Sequence, residues 1–255
     1  MEVQVEAILV ALDQQHSELA TMLDRLDDED WERATRCEGW NVADVVLHLA
    51  QTDELARASV EGRAAEGLEL LAGRMGPAGT VDDGAAASVA HERGLPGAAI
   101  LERWRAGAQA VRDALAAGDP HRRVVWVAGE LSMQTLASTR LAECWIHTGD
   151  VADALGVAQE PTDRIEHIAR LAWRTLPYAF ARDGRELAGP VSFDLRAPSG
   201  SRWRFAPDED AATVIEGPGL DLCLVAARRV APGETSLRGT GPDAHAVLEL
   251  VRTYA

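Results

Sequence analysis

The 255-residue sequence contains no lysine: all 25 of its basic residues are arginine. That absence excludes Schiff-base and lysine-nucleophile chemistry outright. Cysteine is scarce too. Cys37, Cys144 and Cys223 are far apart, odd in number and free of any C-x-x-C spacing, which argues against a disulfide framework or a cysteine-rich zinc site. No apolar run approaches the ~18 residues of a membrane span. Met1 leads into Glu2, Gln4 and Glu6 rather than into a basic and then apolar leader. Positive charge is in deficit, with 41 acidic residues against 25 basic ones and a formal charge of −16. Such a surface disfavours nucleic acid and anionic membranes as partners, because a phosphate backbone demands a basic footprint. The chain also lacks a G-x-G-x-x-G, a Walker loop, a G-x-S-x-G and an H-E-x-x-H. These absences lead to the expectation of a cytoplasmic protein that acts on a small molecule.

Helical periodicity dominates what is present. Val5, Ile8, Leu9, Leu12, Leu19, Met22, Leu23 and Leu26 form a 3.6-residue stripe over 3–26, which the acidic run 27–30 is expected to end. A second helix is predicted from Asn41 as N-cap, with Asp44 three residues on as its capping-box partner, to about Arg63. Residues 72–97, rich in Gly and Ala with Pro77 and Pro96, read as a long loop over a pocket. Further helices are predicted over 97–117, over 132–156 behind Ser132, and over 163–182. After Gly184 the texture changes. Val191, Phe193 and Leu195, then Trp203 and Phe205, alternate about a Ser199-Gly200 turn as a hairpin does. A short strand near 213–215, a helix near 220–229, a strand near 235–238 and a last helix from Pro242 follow. The expected boundary falls at 183–189, giving a helical domain over 1–185 and a small α+β domain over 186–255.

The most informative stripe lies on the predicted helix over 132–156. At 100° per residue, Leu136, Glu143, His147, Asp150 and Ala154 share one sector, where an ordinary core helix would carry Leu and Ala. A glutamate and a histidine at i and i+4 can grip one metal ion together, with Asp150 orienting a ligand from behind. His48, beside Val45 and Leu49, is the best-placed third ligand. Spacing alone leaves the bland readings open as well: a surface ion pair for Glu143 and His147, and a satisfied core histidine for His48. His16 reads as solvated on the polar side of the first helix, and His91 and Glu92 as surface groups. His121, His167 and His245 lack partners at metal spacing. Cys37 and Cys144 read as packing residues, as do Trp31, Trp104 and Trp145, with Trp40 a candidate for the pocket mouth.

The stretch Thr35-Arg36-Cys37-Glu38-Gly39-Trp40-Asn41-Val42-Ala43-Asp44-Val45-Val46-Leu47-His48-Leu49 resembles the T-x-C-x-G-W-x-V-x-D-x-x-x-H-L signature of the mycothiol-dependent maleylpyruvate isomerase family, a branch of the DinB-like superfamily. Glu143-Cys144-Trp145-Ile146-His147-Thr148-Gly149-Asp150 resembles its E-x-x-x-H-x-x-D segment. The resemblance implies a DinB-like antiparallel four-helix bundle of the up-down-down-up type, followed by a small C-terminal α+β domain. It implies His48, Glu143 and His147 as ligands of a divalent metal, usually zinc. It also implies mycothiol as the thiol, whose thiolate adds to an electrophilic carbon for cis–trans isomerisation or S-transfer. Asp221-Leu222-Cys223-Leu224-Val225-Ala226-Ala227-Arg228-Arg229 is similar to the family's D-L-x-L-x-x-G-R segment, with Ala227 where glycine is usual. On that match Arg228 holds an anionic substrate and Asp150 orients His147. Two other readings compete: a metal enzyme that acts without thiol, and a non-catalytic metal- or ligand-binding protein.

Overall fold

The computed structural model describes residues 2–75, 80–127, 129–207 and 209–253. The chain divides into two compact units, Met1–Gln159 and Glu160–Tyr254. The first is helical. Helix α1 (Glu2–Leu23) buries the stripe Ile8, Leu12, Leu19 and Leu23, as its periodicity predicts. The acidic run that follows is not a simple stop. Asp27 and Asp30 cap each other's backbone, and a short helix α2 (Asp28–Trp31) forms there and buries Trp31. Helix α3 (Val42–Val60) starts at the predicted capping box. Asn41 Oδ1 accepts from the Asp44 N–H at 2.9 Å and Asp44 Oδ2 from the Asn41 N–H at 3.2 Å, satisfying two donors that the helix itself leaves free.

Within the stretch expected as a long loop, helix α4 (Ala64–Met75) ends and a further helix, α5 (Val81–Glu92), stands. Ala is a strong helix former even where no apolar period shows, and Thr80 with Asp83 supplies a capping box for α5. Pro77 lies outside the described residues. Arg93, just past α5, donates to both Asp44 oxygens at 2.9 and 2.8 Å and to the Gly39 carbonyl at 3.0 Å. This segment is therefore tied to the start of α3 rather than free to swing. Helix α6 (Gly97–Ala117) buries Ile100, Trp104, Ala108, Val111 and Leu115. An unpredicted antiparallel pair, β1 (Arg123–Trp126) and β2 (Gly129–Ser132), leads into α7 (Met133–Leu155). Ser132 caps α7 through the Thr135 N–H at 3.1 Å, and Gly156 ends it at φ 68°, a left-handed turn open to glycine at little cost. Helices α1, α3, α6 and α7 pack on one another around Leu19, Val45, Val46, Leu49, Ala50, Trp104 and Val151.

The second unit begins with α8 (Glu166–Arg174) and α9 (Leu176–Arg182). The sequence grouped this stretch with the helical domain and set the boundary at 185/186. In the structure α8 packs on the sheet and helix of the second unit, so the compact units part at 159/160. Strands β3 (Val191–Arg196), β4 (Arg202–Phe205), β5 (Thr213–Pro218) and β6 (Arg238–Thr240) form one sheet in the order β4-β3-β5-β6. β3 runs antiparallel to β4 and parallel to β5, in a register that aligns Phe205, Phe193 and Ile215 across one face. Helices α10 (Gly219–Ala226) and α11 (Ala244–Leu250) complete the unit. The expected fold class, a helical N-terminal part followed by α+β, is the observed one. Among the described residues no helix is long and apolar enough to cross a membrane.

Candidate metal centre

The site is assembled by α3, α7 and the turn that precedes α3. That turn folds on itself. The Thr35 hydroxyl accepts from the Cys37 N–H at 3.2 Å and donates to the Trp40 carbonyl at 2.9 Å, and the Trp40 N–H returns to the Cys37 carbonyl at 3.0 Å. Gly39 sits at φ 75°, a conformation that costs other residues a Cβ clash. Thr, Cys, Gly and Trp at this spacing therefore have a local cause. They make a turn that sends Trp40 over His48, with ring centroids 5.2 Å apart, and sends Cys37 toward α7.

On α7, Glu143, His147 and Asp150 share one side and meet His48 from α3. Glu143 Oε2 lies 3.5 Å from His48 Nε2 and 3.6 Å from His147 Nε2. The two imidazoles stand edge to face at 5.1 Å, and one ligand atom from each of the three residues falls within 4.8 Å of the others. Donors sharing a tetrahedral zinc ion at about 2.0–2.1 Å are about 3.3–3.5 Å apart, so the spacing fits a metal ion. The two histidines are 8% exposed, whereas the Glu143 side chain keeps 31%, so the cluster opens to solvent on its carboxylate side.

Behind the cluster, Asp150 Oδ2 accepts from His147 Nδ1 at 2.9 Å and from the Cys37 thiol at 3.2 Å. Arg36 Nε stands 3.9 Å from the other Asp150 oxygen, and the Arg36 guanidinium pairs with Asp153 at 3.0 Å. A carboxylate on Nδ1 keeps the proton there and leaves the Nε2 lone pair facing Glu143, the arrangement in which histidine binds metal. Without a metal ion, the electrostatics instead favour a proton on this ring. Burial alone would lower the His147 pKa, but the bonds to Asp150, Cys37 and Glu143 outweigh it and raise the value well above that of a free imidazole. Burial would raise Glu143, and the bonds from His147 and His48 reverse that and hold it well below the usual carboxylate range. The His48 pKa is lowered, by burial first and by the neighbouring His147 and Arg140 charges next, against the pull of Glu143. A positive charge between the two imidazoles would be held by these carboxylates, and the three residues form a group able to take a metal ion.

Of the residues singled out in the sequence, His48, Glu143, His147 and Asp150 come together. Arg228 belongs to the second unit, at φ 60° and exposed, where its guanidinium donates to the Glu249 carbonyl at 3.1 Å. His91 is exposed on α5, and Glu92 pairs with Arg103. One reading is extended and one corrected. Cys37 packs against the core as expected, and its thiol also donates to Asp150 and forms with His147 and Asp150 a second group of metal-capable atoms. His16 is not solvated: it is 4% exposed, and its Nδ1 accepts from Arg112. The signal for His16 was present, since Leu12, His16, Leu19 and Leu23 continue one stripe at helical spacing. Cys37 could be placed only once the turn closed.

Residues 12–152 match the family model described as mycothiol maleylpyruvate isomerase N-terminal domain. Two uncharacterized proteins from strains of Mycobacterium tuberculosis are each 33% identical over 239 residues, covering 93% of this chain and 91% of theirs. Crystal structures titled as the mycothiol-dependent maleylpyruvate isomerase and a histidine-to-alanine mutant of it superpose with a TM-score of 0.61 at 19% and 18% identity, covering 92% of each chain. At that identity the structural likeness speaks for the fold alone. The match spans the turn, His48, Glu143, His147 and Asp150, and by it the chain belongs to the mycothiol maleylpyruvate isomerase family.

Proposed function

We propose that this chain is a metal-dependent enzyme, with zinc the best-suited ion, that uses a low-molecular-weight thiol of the mycothiol type. Its reaction is isomerisation or S-transfer on a small electrophilic substrate. The observation that carries the reading is the half-open cluster of His48, Glu143 and His147 with Asp150 bonded behind His147. Family membership supports the choice of thiol chemistry. His48, Glu143 and His147 would hold the ion, and three protein ligands leave a position for an outside molecule. A bound divalent ion lowers the pKa of a thiol so that it is deprotonated at neutral pH.

The chain's own groups have separable tasks. Asp150 fixes the tautomer and ring angle of His147, and Cys37 shares the load on Asp150. Trp40 covers the face of His48 and keeps water from it. Glu143, the member that reaches solvent, marks the side from which a thiol and an electrophile would enter. Arg228 remains the proposed partner of a substrate carboxylate, on the match of its segment to the family.

The test is metal content by elemental analysis together with turnover of electrophilic substrates with and without mycothiol. The wild type is expected to carry about one equivalent of metal and to need the thiol. His48→Ala and His147→Ala are expected to lose both with the helical circular dichroism intact. Metal-dependent turnover indifferent to thiol would move the assignment to direct Lewis-acid or hydrolytic chemistry. Full activity in His48→Ala would sink it.

A further inference from the structure

Two charges buried as deeply as Asp150 lie outside the metal cluster. Asp53 and Arg140 are each 1% exposed. Arg140 Nε donates to Asp53 Oδ1 at 2.9 Å, and its terminal nitrogen donates to the Thr52 hydroxyl at 2.8 Å. Thr52 in turn donates to the His48 carbonyl at 2.9 Å. The second Asp53 oxygen has no partner among the described residues. Burial raises the Asp53 pKa against the pull of Arg140, so the pair sits where ionisation is costly. A buried ion pair of this kind generally stabilises less than two apolar side chains of the same volume would. Stability is therefore a poor reason for its presence.

Register is a better one. Helices α3 and α7 pack against each other and are linked at two levels, Asp53 with Arg140 and His48 with Glu143. Going from one level to the other means three residues forward on α7 and five back on α3, about one turn on each of two antiparallel helices. Elsewhere α3 buries Val45, Val46, Leu49, Ala50 and Ala56, whose apolar contacts are non-directional. Its polar ties through Asp44, Gln51 and Glu54 run to Arg93, Ser88 and Arg103 rather than to α7. A slip of one residue moves a helix by about 1.5 Å and 100°, which repacked aliphatic chains can absorb. The planar fork of an arginine shared between a carboxylate and a hydroxyl cannot absorb it. Metal ligands tolerate displacements of only about 0.2 Å.

We propose that Asp53, Arg140 and Thr52 are positioning residues that set the register of α3 against α7 and so hold His48 at metal-binding distance from Glu143 and His147. The inference rests on the metal-centre reading above. It is tested with the double variant D53L/R140M, which removes the pair without stranding a charge. Zn2+ affinity is measured by competition with a chromophoric chelator, and geometry is read from the visible spectrum of the Co2+ form, both well below the melting transition. The double variant is expected to melt at or above the wild-type temperature while its Zn2+ affinity falls about 10- to 100-fold and its Co2+ bands shift. T52V, which keeps the ion pair and cuts the tie to His48, is expected to lose about tenfold in affinity at unchanged melting temperature. Should the double variant not fold, T52V decides alone. Wild-type affinity and spectrum in a folded double variant, or in T52V in that event, would overturn the proposal and leave the metal centre standing. A wild type that takes up no metal would overturn both.

Discussion

The two units bury polar side chains for different ends. In the α+β unit the buried polar residues are Ser192, Thr213, Asp243 and Thr253. There Asp243 accepts from the Ala188 N–H at 2.8 Å and Thr213 from the Asp243 N–H at 3.1 Å, so these side chains serve the backbone. In the helical unit the buried set is Gln15, His16, Asp44, His48, Asp53, Arg140, His147 and Asp150, among others. Asp44 caps the backbone of α3 and pairs with Arg93, but most side chains of this set bond to other side chains: Gln15 to Thr148, His16 to Arg112, Asp53 to Arg140, His147 to Asp150. A core that accepts the cost of burying charge in this pattern is organised around chemistry. A core that uses polar groups only to finish the backbone is organised around packing.

The largest break in that comparison comes from stranding a charge. Arg140→Ala leaves the Asp53 carboxylate buried without its partner, and such losses cost about 3–5 kcal/mol. At roughly 2–4 °C per kcal/mol the melting transition of the helical unit should fall by roughly 10 °C. Adding Asp53→Leu should recover most of that loss, because the penalty is the orphaned charge and not the missing contact. In the α+β unit a comparable loss follows from removing apolar volume, as in Phe193→Ala at a fully buried position, and no second polar deletion recovers it. Calorimetry on the single and double variants separates the two behaviours. Failure of the second substitution to restore stability would mean that the pair acts by packing.

The same contrast explains what could be read from the sequence. Helices with a clear apolar stripe or a cap, α1, α3, α6 and α7, were visible because both signals are local. So were Asn41 and Ser132 as caps. The site was visible because Glu143, His147 and Asp150 occupy a stripe where aliphatic residues belong. What escaped depends on closure in three dimensions. Helix α4 carries a stripe at helical spacing, Ala64, Leu68, Leu71 and Met75, that was passed over, whereas α5 carries too much Ala and Gly for a period to show, although Thr80 and Asp83 formed a readable cap. The β1–β2 pair is only four residues a strand and has no glycine turn of the common two-residue kind. Helices α8 and α9 look like bundle helices in the sequence, whereas they fall in the second compact unit, where α8 packs on β4 and α10 and α9 on α11. The pairing of Asp53 with Arg140, 87 positions apart, leaves no trace in spacing at all.

A smaller effect comes from pH. It is expected to be larger in the helical unit, because His16 is buried whereas His167 of the second unit, whose pKa burial also lowers, is only partly buried. Burial, aided by the Arg112 and Arg140 charges, lowers the pKa of His16 to about 3. Arg112 can only donate, so Nδ1 must accept and the folded ring is neutral. In the unfolded chain the ring binds a proton below about pH 6.5. The unfolded state therefore holds more protons between those two values, and stability falls as pH drops from 6.5 toward 3. At pH 5 the loss is about 2 kcal/mol. His16→Phe should flatten that limb of the melting-temperature profile. An unchanged limb would show that the acid sensitivity belongs to other groups.

The smallest effect is expected where charges abound but are exposed. Across the sheet, Arg204, Asp194, Glu216 and Arg238 stand in one row of the register, and Arg202 pairs with Asp194 while remaining 72% exposed. Ion pairs in water gain little, because solvent and salt screen them and two long side chains lose freedom in meeting. Arg202→Ala should leave the melting temperature of the α+β unit unchanged within error, at low salt and at high salt alike. A clear drop that shrinks with added salt would mean that this unit too depends on a charge arrangement. The division between a chemical core and a packing core would then hold for their interiors and not for their surfaces.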